Sequence, residues 1–292
     1  MSGLSYHATH SPMTDLGEFA ELADSDHIGD LVAHVQGLLM HPFHANRYGL
    51  TIPEDCERQL QSRSAKQMLN EARAVDPRPL CDARPPEKRA YGNCRHFTTL
   101  LTALLRERGI PARSRCGFGT YFSTDKKEDH WVTEMWDAIP GRWRLVDAQI
   151  DEVQRKGMGV TIDTLDVGRE DFWVAGQAWQ RCRRGEEKPE DFGILDMWGL
   201  WFVQGNLIRD LAALCKIELL PWDNWGLMEA ELSEEQLALC DHIAELTTAR
   251  ELDVAAIRKL YRENDSLRVP QTIKSYRPKP QPVDIGELLP ND

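Results

Sequence analysis

The run YGNCRHFTTLLTALLRERGIPAR, residues 91–113, decides how the rest of the chain is read. Asn93 is a good helix N-cap, and Phe97, Leu100, Leu101, Leu104 and Leu105 recur at the spacing that lays them along one helix face. Gly109 closes that helix, with Pro111 just beyond its end. Cys94 falls in the first turn, where unused backbone N–H groups and the positive end of the helix dipole favour thiolate over thiol. This cysteine is therefore placed to be a nucleophile.

Downstream the apolar period changes from helical to alternating, which predicts strands over about 112–122, 130–136 and 142–146. Ala138-Ile139-Pro140-Gly141 joins the last two as a hairpin, and the hydrophilic insert 123–129 is a turn that puts His130 at the start of the second strand. Asp147 ends the third strand. A thiol, an imidazole and a carboxylate in this order can serve as nucleophile, base and orienting acid, although each alone has a plain structural explanation as core thiol, solvated histidine or turn former. Upstream, helices are expected over 26–40 and from Pro53, behind whose start the acidic Glu54-Asp55 pair suits the positive helix end, to about residue 74. Pro77, Pro79, Pro85 and Pro86 then make 77–89 an approach loop.

Composition narrows the function. The chain has 292 residues, 41% hydrophobic and 28% charged, as expected of a globular protein. Acidic residues number 47 against 35 basic, a net charge of −12, and no basic stripe is evident, which argues against nucleic acid as a partner. No run of about 18 apolar residues occurs, and the opening MSGLSYHATHSPM has neither a charged nor an apolar leader region. A cytoplasmic protein without membrane association is the expectation. Seven scattered cysteines at 56, 81, 94, 116, 182, 215 and 240, with no CxxC pair, fit reduced thiols better than disulfides or a zinc site, and all but Cys94 are expected to pack. His41 and His44 are three apart, but Pro42 lies between them and no further ligand sits at a matching offset, so no metal is expected. The Arg181–Arg184 cluster, answered by Glu186-Glu187, reads as a solvated loop. Nine tryptophans suggest an aromatic-rich core. Trp131, Trp136, Trp143, Trp198 and Trp201 are possible walls of an entrance, while Trp198, Trp201, Leu207, Ile208, Leu211 and Leu214 read equally well as one buried helix face.

Three blocks carry a family resemblance. Gly92-Asn93-Cys94 with its helix and the Gly109-Ile110-Pro111-Ala112-Arg113 exit, then Asp129-His130-Trp131-Val132-Thr133-Glu134, then Gly141-Arg142-Trp143-Arg144-Leu145-Val146-Asp147, resemble in order the three motifs of the transglutaminase-like superfamily. The resemblance covers roughly 85–150 and is closest to a standalone bacterial-type member. Trp131 follows His130 directly, and Asn93-Cys94-Arg95 stands where the animal cross-linking enzymes have Gln-Cys-Trp, which weakens the case for a protein glutamine as substrate.

The resemblance implies an α+β fold with a papain-like core, its nucleophile helix packed on an antiparallel sheet, between N-terminal and C-terminal helical regions. It implies a Cys94 thioester, His130 as general acid and base, and Asp147 orienting the imidazole. The oxyanion would be met by the Cys94 N–H and one further donor, for which Tyr48 is the candidate. No cofactor is implied. The substrate would be an amide-bearing small molecule or peptide, resolved by water or by an amine acceptor. Acyl transfer from a thioester donor and a catalytically silent interaction module are the alternatives. The expected organisation is an N-terminal helical part over 14–84, the catalytic core over 85–150, a helical extension covering the cleft over 151–267, with helices over 198–216 and 233–261, and a proline-rich tail over 268–292 that is extended or wraps the surface.

Overall fold

A computed structural model describes residues 3–54, 56–229 and 231–290 of an α+β chain, so Asp55, expected near the head of the second helix, lies outside the described residues. The chain divides into two units, 1–114 with 132–167 and 115–131 with 168–292. No helix among the described residues is long and apolar enough to cross a membrane.

The first unit contains α1 (Gly3–His7), α2 (Ile28–Leu38), β1 (Leu39–Met40), α3 (Cys56–Gln59), α4 (Ala65–Val75), β2 (Ala90–Tyr91), α5 (Cys94–Glu107), the start of β3 (Ala112–Gly119), the end of β4 (Lys127–Asp137), β5 (Arg142–Val146) and α6 (Glu152–Met158). Helix α5 packs against α2 and α4, where Phe97, Leu100, Leu101, Leu104 and Leu105 join Leu31, Val35, Leu38, Met68 and Leu69 in one core. Its remaining face is buried too, through hydroxyls. Thr102 Oγ1 meets Ser114 Oγ at 3.2 Å and Thr133 Oγ1 at 3.4 Å, and Thr133 Oγ1 donates to the Thr98 carbonyl at 3.1 Å. The β4–β5 hairpin forms as expected, with Thr133 opposite Val146 and Asp137 opposite Arg142.

Two upstream expectations change. The helix expected over 53–74 is broken into α3 and α4, because Ser64 starts α4 with its own capping box: Oγ accepts from the Gln67 N–H and Gln67 Oε1 from the Ser64 N–H. The approach loop is ordered by one side chain. Arg84, 1% exposed, donates to the carbonyls of Asp76, Arg78 and Asp82 at 3.1, 2.9 and 3.0 Å, answering backbone acceptors that a proline-rich loop cannot pair by itself.

The second unit contains the rest of β3 and β4, then β6 (Phe172–Val174), α7 (Ala175–Arg183), β7 (Phe192–Ile194), β8 (Met197–Trp198), α8 (Leu200–Leu214), β9 (Asp223–Asn224), α9 (Glu234–Thr248), α10 (Val254–Glu263), β10 (Thr272–Ser275) and β11 (Gln281–Asp284). Its strands run in the order β6-β3-β4-β7-β8. Gly117 is required where β3 meets β6, since a Cβ there would stand 2.1 Å from the Trp173 carbonyl oxygen. Strand β4 starts at Lys127, earlier than expected, because Lys127 and Glu128 pair in parallel with Phe192 and Gly193 of β7. His130 is thus the fourth residue of its strand.

Helix α8 packs against α7, α9 and α10 and buries Leu207, Ile208, Leu211 and Leu214, but Trp201 is 58% exposed and does not share that face. The helix expected over 233–261 is two, because Asp253 caps a new one through the Ala256 N–H. Arg181 and Arg183 lie in the last turn of α7, not in a loop, where they suit the negative helix end. The tail also differs from expectation. Residues 272–284 form the β10–β11 hairpin on β9, anchored by the buried Ile273, with Pro282 on an edge strand that tolerates a missing donor.

One buried ion pair organises this unit: Arg115 Nε and Nη2 donate to the two Asp210 oxygens at 3.0 and 2.8 Å, and the Cys116 N–H donates to the same carboxylate at 2.9 Å. Asp210→Ala would leave a guanidinium buried without its carboxylate. We expect a loss of about 3–5 kcal/mol in urea unfolding; a change within the scatter of surface substitutions would show the pair to be dispensable.

Candidate active site

Cys94 is the first residue of α5 and is 7% exposed. Asn93, extended at φ −99° and ψ −179°, closes a capping box: its side chain accepts from the His96 N–H at 3.3 Å, and His96 Nδ1 accepts from the Asn93 N–H at 3.2 Å. The turn is fixed from behind as well. β1 and β2 pair in parallel, and the Gly92 N–H donates to the Met40 carbonyl at 3.0 Å. Gly92 is needed because a Cβ there would stand 2.9 Å from His96 Cβ, so the capping imidazole occupies the space of the missing side chain.

The surroundings of this turn are electropositive. Arg95 is fully buried, donating to the carbonyls of Ser62, at 3.3 Å, and Arg63. Burial, and then the positive charge of Arg95, hold His96 well below the usual histidine range, so its ring is neutral as the capping geometry requires. Burial acts oppositely on the thiols of the second unit: it pushes Cys215 and Cys240 up to about 12 and Cys182 to about 11. All seven cysteines are unbridged, and Cys81 is exposed where a packing role was expected.

Asp147, also in the first unit, directly follows β5 and is fully buried. Its N–H donates to the Thr164 carbonyl at 2.8 Å, and its Oδ1 accepts from the Gln149 N–H at 2.9 Å. The loop after it is latched to α6 by Gln149 Nε2, which donates to Gln154 Oε1 at 3.2 Å, while Gln154 Nε2 donates back to the Gln149 carbonyl at 3.1 Å. No local motif announces this latch, since its two glutamines meet only once α6 has formed. Tyr48 joins the same network: its hydroxyl donates to Asp151 Oδ2 at 2.7 Å and accepts from Gln154 Nε2 at 3.2 Å. Burial and the Asp151 carboxylate raise the phenol above its ordinary range. Its one proton is therefore given to Asp151, and Tyr48 would have to release that carboxylate to serve an oxyanion.

His130 belongs to the second unit, on β4, and is 2% exposed. The rings of Phe122, Tyr121 and Phe172 stand edge-on to it at 4.9, 6.1 and 6.5 Å. Beside it Asp129 is buried and accepts from Asn206 Nδ2 at 2.7 Å; burial raises its carboxyl above the usual range. Among the tryptophans, Trp131 is fully buried, and Trp143 stacks on Arg113 at 3.8 Å, covering the buried Arg113–Glu134 pair. The described residues contain no cluster of three or more metal-ligating side chains; His41 Nδ1 accepts from the Phe43 N–H at 3.2 Å.

The neutral His96 makes a pH test. Its unfolded form takes up a proton below about pH 6.5 and its folded form resists, so stability present at neutral pH is lost as pH falls below that value, with a limiting slope of about 1.4 kcal/mol per pH unit. His96→Gln, which keeps an acceptor for the Asn93 N–H, should flatten this part of the urea midpoint profile; equal slopes in both proteins would refute the assignment.

A solved structure from Cytophaga hutchinsonii, described as a candidate cysteine protease, aligns over 61% of this chain and 50% of its own with 16% identity and a TM-score of 0.34, so the match takes in half of that protein's length. Curated protein sequences give no match. The family model of the transglutaminase-like superfamily matches residues 60–148, so the similarity lies in the span that holds Cys94, His130 and Asp147.

Proposed function

We propose that this protein is a cysteine-dependent acyl-transfer enzyme acting on amides, with Cys94 as nucleophile, His130 as general acid and base, and Asp147 as the group that orients the imidazole. The observation that carries this reading is the placement of Cys94 at the first position of α5, at a capped and electropositive helix start within the family-matched segment. The dipole and first-turn N–H groups lower the cost of the thiolate.

In the first half-reaction the thiolate attacks the substrate carbonyl and an S–C bond forms. The C–N bond then breaks as His130 passes its proton to the departing amine or ammonia, leaving a thioester on Cys94. In the second half, water or an amine attacks the thioester while His130 takes its proton, and the thiolate leaves. Asp147 is rigid enough for its part, being buried with both its own N–H and its Oδ1 held by backbone groups. We favour a small amide-bearing molecule or peptide as substrate, because Asn93-Cys94-Arg95 departs from the pattern of the protein cross-linking enzymes.

Alkylation tests the reading directly. Burial raises the pKa values of Cys182, Cys215 and Cys240 and so disfavours their thiolates, while Cys81 is exposed and gives an internal control. Iodoacetamide labelling across pH 5–9, mapped by mass, should show Cys94 reacting fast below the range of an ordinary thiol at about 8.5 and slowed by His130→Ala. Labelling of Cys94 no faster than that of Cys81 would overturn the proposal. Incubation with amides and added amines, with ammonia and product mass followed, then decides between water and amine as acceptor.

A further inference from the structure

The Asp147 carboxylate is held by a chain of hydrogen bonds that ends on the 42–48 segment. Its Oδ1 accepts from the Gln149 N–H at 2.9 Å, which fixes that oxygen over the turn that follows β5. Gln149 is gripped in turn at two points, since Gln154 Nε2 donates to the Gln149 carbonyl at 3.1 Å and Gln154 Oε1 accepts from Gln149 Nε2 at 3.2 Å. Gln154 Nε2 also donates to the Tyr48 hydroxyl at 3.2 Å. Gln154 is 2% exposed, and all three bonds come from one rigid carboxamide plane.

The far end of the chain is anchored as well. Asp151 caps α6, its Oδ1 accepting from the Val153 and Gln154 N–H groups at 3.1 and 3.0 Å, while its Oδ2 accepts from Tyr48 at 2.7 Å and pairs with Arg89 at 3.5 Å. Gln154 is thus fixed through its own backbone and through Tyr48 while it grips Gln149. Turning the Asp147 carboxylate breaks the bond from the Gln149 N–H, and moving Gln149 breaks two buried bonds to Gln154. An orienting carboxylate needs such support, because a misplacement of about 1 Å in a reacting constellation can cost about a hundredfold in rate.

We propose that Gln154 is a positioning residue for the reaction: through Gln149 it sets the direction of the Asp147 carboxylate, with Tyr48 as its anchor. This rests on the reading of Cys94 as the nucleophile and of Asp147 as the group that orients the imidazole. Tyr48 then serves the reaction from this network and not at the oxyanion.

The test uses the full-length protein and p-nitrophenyl acetate. In the burst the acetyl group passes to the Cys94 sulfur as nitrophenolate leaves with the electrons of the broken C–O bond. In steady turnover water adds to the acyl carbon, its proton goes to His130, and the sulfur leaves as thiolate. Burst amplitude therefore counts intact sites, and the turnover rate reports the oriented imidazole. We expect Gln154→Met, which keeps bulk and removes all three bonds, to slow turnover by roughly ten- to a hundredfold with the amplitude kept. Added to Asp147→Asn it should cost less than about twofold more, because residues that act as one unit are not additive. Tyr48→Phe, which removes only the hydroxyl, is the milder second variant, and its smaller loss should likewise vanish in the Asp147→Asn background. An equal factor in both backgrounds, turnover kept at the parent rate, or loss of amplitude in both variants would overturn the proposal. Asp147→Asn turning over at the parent rate, or a parent-like burst that survives Cys94→Ser, sinks the underlying reading instead.

Discussion

The start of α5 is the constraint on which the first unit is built. Its capping box satisfies two backbone donors that a helix end leaves over, worth about 1 kcal/mol in an ordinary helix, and here it does so with a buried imidazole that must stay neutral. The neutrality of His96 is not free. It follows from burial and from the adjacent Arg95, and Gly92 is the residue that leaves room for the ring. Nucleophile placement and local stability thus come from the same few atoms: the box that takes the His96 N–H also sets Cys94 at the positive end of a helix that is buried from Cys94 to Arg106.

Both units solve the problem of buried polarity by bonding it to backbone. Arg84 gathers the carbonyls of the proline-rich approach loop, Arg95 those of Ser62 and Arg63, and Asp210 takes the Cys116 N–H together with Arg115. Each of these charged groups would be costly if left alone in a core; instead Arg84 closes its own loop, Arg95 joins a loop to α5, and Asp210 joins α8 to β3. Thr102, Ser114 and Thr133 do the same on a smaller scale between α5 and the sheet. Sites that need a precise turn are well served by such bonds, because a hydrogen bond fixes direction where apolar contact fixes only distance.

Where sequence reading succeeded, the signal was local. The span of α5, its cap and the β4–β5 hairpin are all written in residues close along the chain. Where it failed, a second cap interrupts the helical period or a distant partner intervenes. Ser64 and Asp253 are caps inside what periodicity presented as continuous helices. The early start of β4 depends on β7, more than sixty positions away, and the hairpin in the proline-rich tail depends on β9 and on one buried isoleucine. Tyr48 carried the right chemistry for an oxyanion donor, but its partner Asp151 lies far along the chain and only folding reveals the commitment of its proton.

By itself, the sequence determined that Cys94 opens a capped amphipathic helix leading into an antiparallel hairpin, because caps, helical period and strand alternation act over a few residues. The tertiary structure alone decided which polar groups around that helix are already committed. It gave the proton of Tyr48 to Asp151, made His96 neutral, and bound the Tyr91 N–H to the side-chain oxygen of Gln59. Hydrogen-bond partners and burial are set by residues brought together from far apart, and no periodicity in a single chain records them.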